Sequence, residues 1–140
     1  MKRVVVGDKQ RVADWVAEKI GCSKWHSDFE ALGLEQDGQL VGGCVIDSYV
    51  EGARCAMHVA GEGRKWLNRE FIRACFGYVF TQLNCKVALG PVPSTNEAAI
   101  RFDKHLGFTE ACRIEDGCPD GDLVLMQMAK AKCRWLETTP

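Results

Sequence analysis

The sequence predicts a single α/β domain of mixed (α+β) type, spanning residues 1–140, in which helices flank a central mixed sheet. Three observations lead there. Residues 30–60 read as a β meander, because turn dipeptides at Asp37-Gly38 and Glu51-Gly52 separate runs rich in Val, Leu, Ile and Cys. A long amphipathic stretch and then a buried-strand pattern follow, and a strand–helix–strand crossover joins parallel strands. Near the end, "GCPDG" separates two more strand-like runs, which makes a closing hairpin.

Taken in order, "KRVVVGD" reads as a short strand. In "QRVADWVAEKIG", Val12, Trp15, Val16 and Ile20 share one helical face, and Gly21 suits the stop. "CSKWHSDFE" fits either a second short helix or a loop. The meander strands fall at about 30–36, 39–49 and 53–60. In "GEGRKWLNREFIRACFGYVFTQLN", Leu67, Phe71, Ala74, Cys75 and Tyr78 form an apolar stripe, with Asn68 a candidate cap. "CKVALGPV" is the next strand. "PVPSTNEAAIRFDKHLGF" then fits a capping box, with Ser94 as N-cap and Glu97 three residues on. Ala99, Phe102 and Leu106 make that helix's apolar face, and Gly107 ends it. "TEACRIED" and "DLVLMQMAK" are the last strands.

Composition narrows the function classes. Hydrophobic residues make up 46% and charged residues 26%, a balance typical of a folded domain. The net charge of -1 gives no electrostatic footprint for nucleic acid. The three-Val run in "MKRVVVGDKQ" is too short for a signal-peptide core, so the expected location is the cytoplasm. Eight cysteines are present, but no CxxC pair, so no metal site is expected. Free buried thiols are expected instead, and Cys85 is read as core.

The element order, together with "NEAAIRFDKHLGF" and "HVAGEGR", resembles the GNAT N-acetyltransferases over nearly the whole chain. "GRKWLNREFIRACFGYVF" and "KCRWL" are similar to small GNAT-like proteins of bacteriophages and prophages. The resemblance implies a sheet splayed between its fourth and fifth strands, with acetyl-coenzyme A lying in the gap. It also implies that Met57, His58 and Val59 supply strand backbone along the pantetheine arm. Gly61, Gly63, Arg64 and Lys65 fall at the pyrophosphate loop, and Asn96 and Phe102 at the coenzyme arm, although Asn96 after a Pro-rich turn also reads as a plain helix cap. Two positions depart from the family pattern. The stretch Arg64-Lys65-Trp66-Leu67-Asn68-Arg69 lacks the usual glycines. Asp103 stands where many members carry a Tyr proposed to protonate the departing thiolate, and an ionised carboxylate makes a poor acid.

Transfer to an amine needs a base and a polarised carbonyl. His58 is the candidate base or relay, or else a packed or surface strand residue. Asp47 and Tyr49 on the neighbouring strand are candidates for the acceptor pocket. Asp103 reads as a solvated helix residue or as a contact to the substrate amine. His26 and His105 read as structural or surface residues, and the acidic "EDGCPDGD" as a solvated turn or an attractor of cationic amines. Trp135 is expected to be exposed, covering the sheet edge or sealing a homodimer. The resemblance implies direct transfer of acetyl from acetyl-coenzyme A to an amine of a small molecule or peptide. The alternative is a catalytically weak GNAT-fold phage protein with a structural or host-interaction role.

Overall fold

A computed structural model describes residues 1–21, 25, 28–64 and 68–136. The elements are β1 (Lys2–Val5), α1 (Lys9–Ile20), β2 (Phe29–Gln36), β3 (Gln39–Val50), β4 (Arg54–Gly61), α2 (Arg69–Gly77), β5 (Val87–Pro93), α3 (Glu97–Leu106), β6 (Thr109–Cys118) and β7 (Gly121–Ala129). The strands form one mixed sheet in the order β1-β2-β3-β4-β5-β7-β6. Among the described strands only β4 and β5 pair in parallel, as the crossover requires. Most of "CSKWHSDFE" lies outside the described residues, as do Lys65, Trp66 and Leu67.

The meander turns where its sequence demands. Asp37 (φ 56°) and Gly38 (φ 83°) both take the left-handed conformation of a tight hairpin turn. Strand alternation then sorts the side chains. On one face, Ala31 and Val45 meet Val12, Ala13 and Val16 of α1. This helix sits close to the sheet, because a methyl group at Gly43 would fall 2.6 Å from a Val16 methyl. Its inward stripe is Val12, Ala13, Val16 and Ala17; Ile20, expected inside, is exposed.

On the other face, Leu32, Cys44, Ile46 and Met57 pack against Phe71, Cys75 and Phe76 of α2. The expected long helix is shorter and changes pitch, with a π-helical turn at Tyr78–Gln82. That turn rotates Val79 and Phe80 into the core, where both are fully buried. Asn68 caps α2, its Oδ1 accepting from the Phe71 N–H at 2.9 Å. Leu106 and Phe108 carry the same core under α3.

Two expectations about side chains need correction. Ser94 does not cap α3; Asn96 does, with Oδ1 accepting from the Ala99 N–H at 3.1 Å. Ser94 Oγ instead accepts from the Asp122 N–H at 3.0 Å and ties the end of β5 to β7. Trp135 is half-buried against the core rather than exposed. Its indole N–H donates to the Leu106 carbonyl at 2.8 Å and so closes the end of α3. Cys44, Cys55, Cys75 and Cys85 are free thiols in the core, as expected, but Cys112 is exposed and Cys118 and Cys133 are half-buried.

Candidate functional site

The pairing of β4 with β5 covers only Arg54↔Val87, Cys55↔Ala88 and Ala56↔Leu89. Both strands continue beyond it, β4 to Gly61 and β5 to Pro93. Meanwhile β5 stays paired with β7 along its whole length, and β4 with β3 as far as Gly61. The sheet therefore splits between β4 and β5.

The sequence builds this split. The Val87 N–H donates to the Ala53 carbonyl beside β4, so alternation directs Pro91 and Pro93 to the same side. Proline has no N–H, so neither residue can donate to a β4 ladder. On the opposite wall the Glu62 N–H donates to the Val41 carbonyl on β3. Alternation then turns the main-chain groups of Val59 away from β3, into the split.

A cavity of about 570 Å³ fills the gap. Met57, Val59, Gly61 and Gly63 form one wall, Pro91 to Pro93 a second, and Asn96, Phe102 and Asp103 a third. Phe71 and Phe76 of α2 line it from one face of the sheet. From the other face come His58 and Lys19. The cavity thus passes through the sheet. Lys19 is ion-paired with Glu62 beside its mouth.

The structure brings together most of the residues singled out above. Met57, His58, Val59, Gly61, Gly63, Asn96, Phe102 and Asp103 all line the cavity. Arg64 is exposed on the loop leading from it, after Gly63 with φ 54°. Lys65 lies outside the described residues. Asn96 uses Oδ1 for the cap, which leaves its amide N–H groups as donors toward the cavity.

His58 and Asp47 form a pair, Nε2 to Oδ1 at 2.9 Å, both largely buried. The Trp25 ring lies 5.0 Å from the imidazole, and its N–H donates to the Ala13 carbonyl at 3.0 Å. Asp47 reaches the cavity only through His58. Tyr49 is not at the site. A bulge after Asp47, with Ser48 at φ 53°, breaks the alternation, and the Tyr49 hydroxyl donates to the Leu83 carbonyl at 3.1 Å.

Asp103 is half-buried at the cavity wall rather than solvated on the outer face of its helix. It sits on the inward side of α3, beside Gly90, where a methyl group would lie 3.4 Å from Oδ2. Burial alone pushes its carboxyl up to about 7. Among the described residues, no ion pair or hydrogen bond holds the carboxyl. Helical spacing carries the signal, because Asp103 is four residues after Ala99 and three before Leu106. The acidic turn before β7 is elsewhere; Asp122 Oδ1 accepts from the Asp116 N–H at 3.1 Å. His105 is exposed, and His26 lies outside the described residues.

No protein-family model and no curated protein matches the sequence. Solved structures do. A mutant form of the spermidine/spermine N-acetyltransferase SpeG from Vibrio cholerae superposes with a TM-score of 0.73 at 15% identity, over 94% of this chain and 96% of that one. A second mutant form of the same SpeG gives 0.74 at 16% identity, over 94% of each chain. A probable acetyltransferase gives 0.64 at 20% identity, over 74% of this chain and 62% of that one. The fold is that of the GNAT acetyltransferases.

Proposed function

We propose that this chain is an acetyl-coenzyme A-dependent N-acetyltransferase that passes acetyl directly to an amine. The carrying observation is the split between β4 and β5, whose cavity reaches both faces of the sheet. An extended thiol-bearing arm would enter from the α2 and α3 face and complete the ladder that β4 leaves open at Val59. An amine would come from the face that carries His58. At about 570 Å³, the space is within the range of about 300–1,000 Å³ usual for small-molecule pockets.

The geometry of the split and the sequence of the loop after β4 support the following roles. The Val59 N–H would donate to the thioester carbonyl and polarise it. Asn96 would hold the arm through its amide N–H groups, and Phe102 would pack along it. His58 would take the proton of the attacking amine, oriented by Asp47 at 2.9 Å. Gly61, Gly63 and Arg64 would meet the pyrophosphate, with Lys65 adding charge. The described N-terminus of α2 serves an anion less well. Asn68 already occupies one of its N–H groups, and Glu70 places a carboxylate in the first turn. That observation favours the second reading, a catalytically weak member of the fold with a structural or host-interaction role. The acceptor would be a small-molecule or peptide amine. SpeG, a protein of the same fold, acts on spermidine and spermine by name, so polyamines belong in the first panel.

Calorimetric titration with acetyl-coenzyme A tests the proposal, with Arg64→Ala and Asn96→Ala as controls. Saturable binding weakened by both variants, followed by turnover on an amine panel that includes spermidine, is the expected result. No saturable binding at millimolar ligand overturns the enzyme reading. Binding without turnover across the panel moves the chain to the second reading.

A further inference from the structure

We infer that Asp103 is the acid of this reaction, its carboxyl giving a proton to the coenzyme sulfur as the thioester breaks. The inference rests on the acetyltransferase reading and adds a residue to it. Asp103 stands where the split begins: Leu89 is the last β5 residue paired with β4, and the carboxyl lies against Gly90, the next one. It is the only carboxyl lining the cavity among the described residues. Neither tyrosine of the chain is available, because Tyr49 is bonded to Leu83 and Tyr78 does not line the cavity.

The other titratable groups facing this space are committed. From α1, Lys19 is paired with Glu62. From β4, His58 is paired with Asp47. From α2, Cys75 is packed in the core. The cavity-lining residues of β5 and Phe108 carry no ionisable side chain. On α3 itself, Arg101, Lys104 and His105 are exposed. The Asp103 carboxyl has no partner among the described residues, and burial holds it near neutrality, at about 7. Burial therefore keeps the carboxyl partly protonated near neutral pH, where an ordinary aspartate is almost wholly ionised.

The step balances. The amine nitrogen bonds to the carbonyl carbon and the carbon–sulfur bond breaks, its electron pair leaving on sulfur. The sulfur takes the Asp103 proton and becomes the thiol. His58 takes the amine proton, and solvent returns one to Asp103 as His58 releases one.

The test is the pH profile of kcat from pH 5.5 to 9 for the wild type, Asp103→Asn and Asp103→Glu, using the best acceptor of the panel. The wild type is expected to lose activity as pH rises through the Asp103 midpoint, which bound coenzyme moves above about 7 by excluding water from the carboxyl. Asp103→Asn is expected to lose about 100-fold or more in kcat at pH 6.5 and to lack that alkaline limb. Asp103→Glu is expected to restore part of both. A second readout needs no turnover: acetyl-coenzyme A binding at pH 8, measured by calorimetry in two buffers, should draw protons into the wild type but not into Asp103→Asn. A wild type that acetylates amines, with an Asp103→Asn variant equal to it in rate, limb and proton uptake, overturns the inference and leaves the acetyltransferase reading standing. A wild type that binds acetyl-coenzyme A but acetylates no amine overturns both.

Discussion

The Asp103 carboxyl lies against Gly90: a methyl group at position 90 would stand 3.4 Å from its Oδ2 and 3.6 Å from the Met126 Cβ. These are ordinary contact distances, so Gly90→Ala should fold. The added methyl would displace water from the carboxyl and disfavour its charged form further. The Asp103 midpoint should therefore rise above about 7. A carbon-detected NMR titration of the Asp103 carboxyl measures it, and a midpoint that stays or falls would refute this account of the site.

Asp103 also makes stability depend on pH. Its folded-state pKa, about 7, lies above the ordinary 3.8, so the folded protein binds the proton more tightly than the unfolded chain. Stability from this group is complete below about pH 4 and is lost as pH rises through about 7. A displacement of this size has a ceiling of about 4 kcal/mol, and partial solvent access lowers the effect to about 2 kcal/mol. Asp103→Asn removes the dependence. It should be more stable than the wild type at pH 8 by about that amount and by less than half of it at pH 5, as read by urea denaturation at the two pH values. An equal difference at both would show that the carboxyl is already ionised at pH 5.

The element order is legible because each element carries its own periodicity, and the structure moves most boundaries by only a residue or two. The misplacements have non-local or geometric causes. Ser94 and Asn96 are both good caps, and the choice between them is made by Asp122, a residue 28 positions away that engages Ser94. Asp47 and Tyr49 share a strand face by alternation, but the Ser48 bulge turns Tyr49 away. The inward position of Asp103 is also legible, because the helical stripe of Ala99, Phe102 and Leu106 includes it. What the stripe alone does not supply is whether a partner meets the carboxyl there. The split itself is written in Pro91 and Pro93, two residues apart on the side of β5 that faces β4.

Trp135 holds the end of the helix that carries Asp103. Its N–H donates to the Leu106 carbonyl, and the Arg134 guanidinium lies 4.8 Å from its ring centre. Trp135→Phe keeps most of the packing and loses the bond, at about 1 kcal/mol. Trp135→Ala loses both and should cost about 2–3 kcal/mol for this half-buried ring. Thermal melts give the ordering. Hydrogen exchange at the Gly107 and Phe108 amides, which donate to the Asp103 carbonyl, should quicken in the Ala variant. Unchanged exchange there would mean that Trp135 does not secure α3.

Asn96 has two separable duties, one seen and one proposed. The seen one is the cap, Oδ1 accepting from the Ala99 N–H at 3.1 Å. The proposed one is donation from its amide nitrogen to the coenzyme arm. Asn96→Ser preserves a cap of similar strength and removes the amide without adding charge. Asn96→Ala removes both functions and should cost about 1 kcal/mol in stability. If the amide binds the arm, Ser should melt like the wild type yet bind acetyl-coenzyme A about tenfold more weakly, the equivalent of one lost hydrogen bond. If Asn96 only caps, Ser should match the wild type in both melting and affinity, and the coenzyme role would fall. Ala alone cannot make the distinction, because a frayed first turn of α3 would disturb the cavity wall and weaken binding in either case.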